Sequence, residues 1–432
     1  MKAKEIILLI LIIVVGILFH QLYTGKIDVY FDLDDDFIVI SNEFDYEDYQ
    51  ELEPPFPALL QVTNSYGDVE VTGNDEEKIA VTLRKKIWRR KEDTAQKIAD
   101  ELKMVIQEEA DRLVISTSGD EFGRKNFKLS FKISVPMRMD VKVSNSYGTV
   151  DVANVKNVDI TNPHGKIFAS DITGQTVLEN SYETVDVENI DADLELESHN
   201  SSVHVSKVRG KAHIVHRYGE IQLDDISGDV KVEGSHSEIY GKKLAGPVEI
   251  ESSYKKITLI HVGPTKIKGY NSTIEVEGAK ELLDVKNDYG KVRVNSIDGD
   301  LVIDGKNLEV TGKSIVGDKI DITSSYRDIE LTEFSGKTTI VLSNGEIVLT
   351  PYPLTHPIEV KGEYANIKLR WPLGKKYRFE AKVKNGEIEW GLPVEISVQE
   401  EDHTRTVTAF IQEKESPSIF LSTSYRTIWV EQ

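Results

Sequence analysis

The sequence predicts an all-β protein: a parallel β-solenoid of about 14 coils of ~18 residues, behind an N-terminal transmembrane helix and a small α+β cap. Three observations predict it. The line NSYGDVEV at Asn64–Val71 returns as NSYGTVDV at Asn145–Val152 and as NSYETVDV at Asn180–Val187. A tyrosine followed three and five positions later by apolar residues then recurs to the C-terminus. No helical periodicity interrupts the run from about 144 to 395.

The tyrosines of the series are Tyr147, Tyr182, Tyr218, Tyr254, Tyr289, Tyr326 and Tyr364, spaced 35 to 38 residues apart. Halfway between them the same short strand returns without tyrosine, after His164, Asn200, His236, Asn271 and Asn344. The unit is therefore ~18 residues with an alternation at twice that length. Each unit carries a second signature, Gly-x-apolar-x-apolar, from Gly174, Gly210, Gly228, Gly246 and Gly299. Both segments alternate apolar and polar residues, the period of a strand with one buried face. One such coil cannot bury its few inward residues, but coils stacked at about 4.8 Å set each Val or Ile against its counterparts above and below. A 36-residue coil with every tyrosine in one ladder is the alternative that the spacing leaves open.

From the N-terminus, Lys2 and Lys4 precede an apolar run, Ile6 to Phe19, extended by His20-Gln-Leu-Tyr. About 18–20 apolar residues cross a bilayer. No small-x-small cleavage site follows, so residues 1–25 read as an uncleaved signal anchor rather than a cleaved peptide. Lysines before the span and acids after it place the N-terminus inside and the bulk of the chain outside the cytoplasm, at the cell surface. Between Lys26 and Lys78 there is no Lys or Arg, against 16 Asp and Glu. Residues 26–56 read as an extended, self-repelling acidic tether. An acidic-aromatic docking motif is the functional alternative, and the stretch is also suited to fold back on the basic patch RKKIWRRK, Arg84–Lys91.

Residues 57–143 form the predicted N-terminal cap. A repeat-like unit at Tyr66 leads it, and helical spacing at Ile98, Leu102, Val105 and Ile106 predicts a helix over Thr94–Gln107. The repeats fill 144–395, and longer strands in 396–432, the last carrying Tyr425, form a C-terminal β cap. Caps are required because the end of a strand stack is an open sheet edge.

Composition narrows function. A net charge of -21 argues against nucleic acid and against adsorption to anionic lipid, and zero cysteines remove disulfides, thiolate metal sites and a cysteine nucleophile. No cofactor, metal site or catalytic residue is read from the chain. The histidines His164, His199, His204, His213, His216, His236 and His261 fall at different points of the unit, so they converge on no one site. Glu220 and Glu238 fall on stacked coils, but the outward positions otherwise mix signs as a solvated face does. NSYG itself reads as a corner module, with each tyrosine lying along the stack and therefore needing a smaller neighbour. The functional alternative makes Tyr147, Tyr182, Tyr218, Tyr254, Tyr289, Tyr326 and Tyr364 a ligand or partner surface that stacks on sugar rings. A second candidate surface is the patch Arg84, Lys85, Lys86, Trp88, Arg89 and Arg90.

The order of these parts over residues 57–432 resembles a family of β-strand-repeat (β-solenoid) envelope proteins catalogued as adhesins, a domain family of unknown function. The resemblance lies in TNSYGDVEV, a short acidic helix, Val135-Pro136 closing the N-terminal strands, the repeats, and the final LSTSYRTIWV. The chain departs from the family in placing Tyr or Asn where Gly or Ser is common, and in lacking a glycine-rich run before the last strands. The resemblance implies a β-solenoid and carries over no functional residues. The function expected is a membrane-anchored, non-catalytic binding or scaffold module whose partner is an envelope polymer or protein. The alternatives are a self-associating structural envelope protein and, third, a glycan-active β-helix enzyme.

Overall fold

The computed structural model describes residues 27–31, 38–118, 126–371, 377–410 and 417–432. The anchor expected over residues 1–25 lies outside them, and among the described residues no helix is long and apolar enough to cross a membrane. The chain divides into two compact units, Met1–Glu183 and Thr184–Gln432.

In the first unit, short parallel strands repeat in two stacks. Val69–Asn74, Val150–Ala153 and Ile167–Ile172 form one, with Val69, Val150 and Ile167 in register and buried. Leu59–Thr63, Asp140–Ser144, Val158–Thr161 and Thr176–Asn180 form the other. The inward residues are Val and Ile because branched side chains fit a pleated, half-buried surface. Each one buried contributes roughly 1.5–3 kcal/mol.

The second unit lengthens the strands and keeps the register. Leu194 faces Ala212 and Ala212 faces Val230, 18 residues on in each case (212 − 194 and 230 − 212). Val230 faces Val248, a further 18 (248 − 230). The coil is therefore 18 residues, not 36. Its last strands are held differently. Thr404–Phe410 runs antiparallel to both Arg378–Lys384 and Ser397–Glu401, which turns the terminal sheet away from open parallel stacking. Beside it Trp371, Tyr377, Phe379 and Trp390 form an aromatic cluster with ring centroids 5.2 to 6.2 Å apart.

Two expectations are corrected in the N-terminal unit. Residues 38–52 are not an extended tether: Ile38–Leu52 is a strand, antiparallel to Ile79–Arg89 from Asn42↔Arg89 to Leu52↔Ile79. Self-repulsion within the acidic segment is overcome because the facing strand carries the basic patch. The helix also ends early, spanning Glu92–Glu101 with Ala95 and Ala99 buried. Met104–Glu108, which holds Val105 and Ile106, is instead a strand antiparallel to Arg112–Thr117. Pairing with that strand outweighs the helical spacing, and the β-branched side chains favour the outcome.

Candidate functional site

The repeated NSYG resolves residue by residue at the coil corner. Its asparagine points inward and is buried. The Asn145 amide donates to the carbonyls of Gly67 and Tyr147, both at 3.1 Å. Asn162 donates to Gly148 O at 2.9 Å and Lys166 O at 3.0 Å, and Asn180 to Asn162 O and Gly165 O at 2.8 Å. Tyr147 O and Lys166 O also accept the backbone N–H of Gly67 and Val150 on the neighbouring coil, so the amides reinforce the ladder at the bend. The glycine is required by close approach. A Cβ at Gly148 would lie 2.3 Å from Gly67 O, and one at Gly219 would lie 1.9 Å from Ser201 O, with φ at +108° and +153°. The tyrosine remains, and it points out: the seven corner tyrosines are 38 to 55% exposed.

Their rings form ladders. In the first unit Tyr66, Tyr147, His164 and Tyr182 stack in turn, with centroids 5.3, 4.8 and 5.3 Å apart and planes within 12°. In the second, His236 lies between Tyr218 and Tyr254 at 5.0 and 4.7 Å. Tyr270 then meets Tyr254 and Tyr289 edge-on at 5.6 and 6.0 Å, and Tyr364 stacks on Tyr425 at 5.3 Å. Tyr326 meets no ring among the described residues. The expectation of a tyrosine lying along the stack, excluding a tyrosine from the next coil, does not hold. Tyr66 and Tyr147 stand on adjacent coils and stack directly, because each ring lies across the stack and occupies one coil step.

The stacked geometry also narrows the sugar-stacking idea. A ring between two others has both faces covered, so it offers its edge and its polar group; a free face exists only where a rung is missing. Of the histidines, His164 and His236 are rungs. His216 is inside, fully buried, with Nδ1 2.7 Å from Ser237 Oγ and Nε2 3.2 Å from Ser201 Oγ. Burial pushes its imidazole below the ordinary value. Among the described residues no cluster of three His, Asp or Glu is arranged for a metal ion. Tyr270 was not legible as a corner residue because Asn271, with φ +53°, holds the corner and Tyr270 enters from the position before it. The signal was in the sequence GYNS.

The basic patch is in part covered by the acidic strand. The acidic strand takes up three of its six charges: Arg84 pairs with Glu47 at 3.6 Å, Lys85 with Asp48 at 2.7 Å, and Lys86 with Glu43 at 2.7 Å. Lys85 is 4% exposed and also donates to Ala99 O at 2.8 Å, tying strand and helix together. Its hydrogen bond to the Glu43 carboxylate holds the Lys86 ammonium above its usual range. Trp88 and Arg89 close the same strand, and Arg89 donates to Trp88 O at 2.7 Å. Arg90 is joined through its carbonyl to Asn42, at 3.4 Å.

Glu220 and Glu238 do stand side by side in register on adjacent coils. The outward carboxylates around them are largely engaged by bases. Glu275 is bridged by Lys256 at 2.7 Å and Arg293 at 3.1 Å, and the Lys256 hydrogen bond is the first reason its carboxyl is held low. Glu309 pairs with Lys291 at 3.0 Å.

A parallel solenoid with a polar-lined corner and an aromatic ladder on its surface defines a repeat scaffold. Within that class, residues 226–418 match the model of the Toastrack DUF4097 family, a β-solenoid family of unknown function. This accords with the resemblance read from the repeats. Comparison with curated proteins finds no match. Among solved structures, a putative cell adhesion protein from Clostridium sporogenes ATCC 15579 is similar at 10% identity, over 90% of this chain and 100% of that chain, with a TM-score of 0.20.

Proposed function

We propose that the protein is a membrane-anchored, extracytoplasmic and non-catalytic binding or scaffold module whose partner is an envelope polymer or an envelope protein. One observation carries this reading: a row of half-exposed tyrosines and imidazoles held at coil spacing by a buried polar corner. Amphipathic rings held rigidly offer large contact area at low cost in conformational entropy, which is why tyrosine is common at binding surfaces. The apolar run Ile6–Phe19 supports the anchor, and the acids that follow it support the outward orientation. The non-catalytic part is supported by the engagement of Glu275 and Glu309 in ion pairs, which suits a solvated face better than a carboxylate site.

The test is a pull-down of fractionated cell envelope with the full-length chain in detergent, run beside Tyr218→Ala/Tyr254→Ala. Retention of polymer or protein that the double variant loses is the expected result. Equal retention by both would remove the ladder from the site, and recovery of the chain's own copies alone would favour self-association.

A further inference from the structure

Three corners of the second unit carry tyrosines without a ring between them. Register places Tyr326 against Asn344 and Asn344 against Tyr364, and the pair Gly290↔Leu308 puts Tyr289 beside Asn307 at the same offset. Asn307 stands against Tyr326 as well, since Asp304↔Thr323 and Val310↔Ile329 flank that pair at the same offset. Where the chain fills the equivalent position, it does so with a flat ring, His236, at 5.0 and 4.7 Å from its two tyrosines. Asn307 and Asn344 are shorter by a ring. Two coil steps separate the walls by about 9.6 Å, so a ring placed midway lies about 4.8 Å from each. Tyr326 is the wall common to both gaps.

We infer that these are two ring-sized slots, Tyr289/Asn307/Tyr326 and Tyr326/Asn344/Tyr364, each taking one pyranose residue of an envelope polysaccharide in the place of the missing rung. The walls offer the exposed tyrosine faces that the filled ladder covers. The floor decides for sugar over a partner's aromatic side chain. Each floor is an amide, which pairs with hydroxyls on a sugar's rim and finds no polar partner on a phenyl ring. Sugars present an apolar face and a polar edge together, and the slot presents the complement. Two slots one tyrosine apart suit a chain of linked sugars, so binding strengthens with oligomer length. The inference rests on the binding reading of the corner row and adds, at the unstacked tyrosines of that row, the places where single sugar rings enter.

The experiment titrates the full-length protein in detergent with hexamers of N-acetylglucosamine and of glucose, following tyrosine fluorescence and saturation-transfer NMR. The expected result is saturable binding that falls at least about tenfold in Tyr326→Ala, which removes a wall from both slots. Asn307→Tyr/Asn344→Tyr, which fills both slots with the chain's own rung and leaves the fold intact by circular dichroism, should abolish binding. Glu275→Gln, which alters an outward ion pair outside the corner row, should leave it unchanged. Binding lost in Tyr218→Ala/Tyr254→Ala but kept in the filled variant overturns the slots while preserving the corner row as a site. No binding of either sugar, or equal binding by all variants, overturns the inference; loss of a protein partner in the pull-down by Tyr326→Ala would replace sugar with an aromatic side chain.

Discussion

The corners from Tyr218 to Tyr254 and those from Tyr289 to Tyr364 are built from the same module, yet one stretch is closed and the other open. In the first, His236 completes a stack of three rings. In the second, asparagines stand where the imidazole would be, and Tyr326 is left without a ring neighbour among the described residues. The interior does not distinguish the two stretches: Ile221, Ile239 and Ile257 in one and Ile329, Ile347 and Ile367 in the other are all fully buried. Surface chemistry at a corner is thus set independently of the core by one side chain per coil. That independence makes a solenoid adaptable as a binding scaffold.

The largest expected effect breaks the corner itself. Gly219→Ala brings a Cβ against the Ser201 carbonyl, 1.9 Å away before any shift, on a backbone at φ +153°. A loss of about 3 kcal/mol is expected in denaturant unfolding, at the upper end of ordinary substitutions. A loss under about 1 kcal/mol would mean that the coil spacing yields readily, and the ladder with it.

The stacked and unstacked tyrosines should differ in stability. Tyr254 rests on His236 at 4.7 Å and meets Tyr270 edge-on at 5.6 Å, whereas Tyr326 has neither kind of contact. Aromatic pairs add about 0.5–1.5 kcal/mol each beyond area burial, so Tyr254→Ala should cost about 1–3 kcal/mol more than Tyr326→Ala. Equal costs would show that the stacked rings contribute nothing.

The smallest effect is a pH dependence on the closed side. His216 is held below its ordinary value of 6.5 by burial, so the folded state favours the neutral ring. As pH falls below about 6.5 the unfolded chain takes up a proton that the buried ring refuses, and stability declines until pH passes the folded value, where the loss levels off. His216→Asn, which installs the residue found inside the corner at Asn287, should remove this part of the acid destabilisation. An unchanged profile would assign it to other groups.

Much of this was legible because the period was strict. Val150, Val152 and their successors alternate without interruption, and a two-residue alternation repeated every coil has few other solutions. The elements that escaped depend on partners distant in sequence. For Glu43, Glu47 and Asp48 the sequence offered both a self-repelling tether and a return onto the basic patch, and it is the strand bearing Arg84, Lys85 and Lys86 beside them that decides for the second. Val105 and Ile106 keep helical spacing with Ile98 and Leu102, and only pairing with Arg112–Thr117 makes them a strand. The orientation of the corner rings was likewise invisible, because spacing shows that a tyrosine recurs but not whether its ring lies along the stack or across it.

A corner without a ring is a vacant rung, and the stability of Asn344→Tyr measures whether it is one. The new ring would lie between Tyr326 and Tyr364, as His236 lies between Tyr218 and Tyr254. Thermal and denaturant unfolding should show a gain of about 0.5–1.5 kcal/mol or more, from one or two new aromatic pairs. A loss of stability, or no change, would contradict the claim: the space between those tyrosines would then not be shaped for a ring.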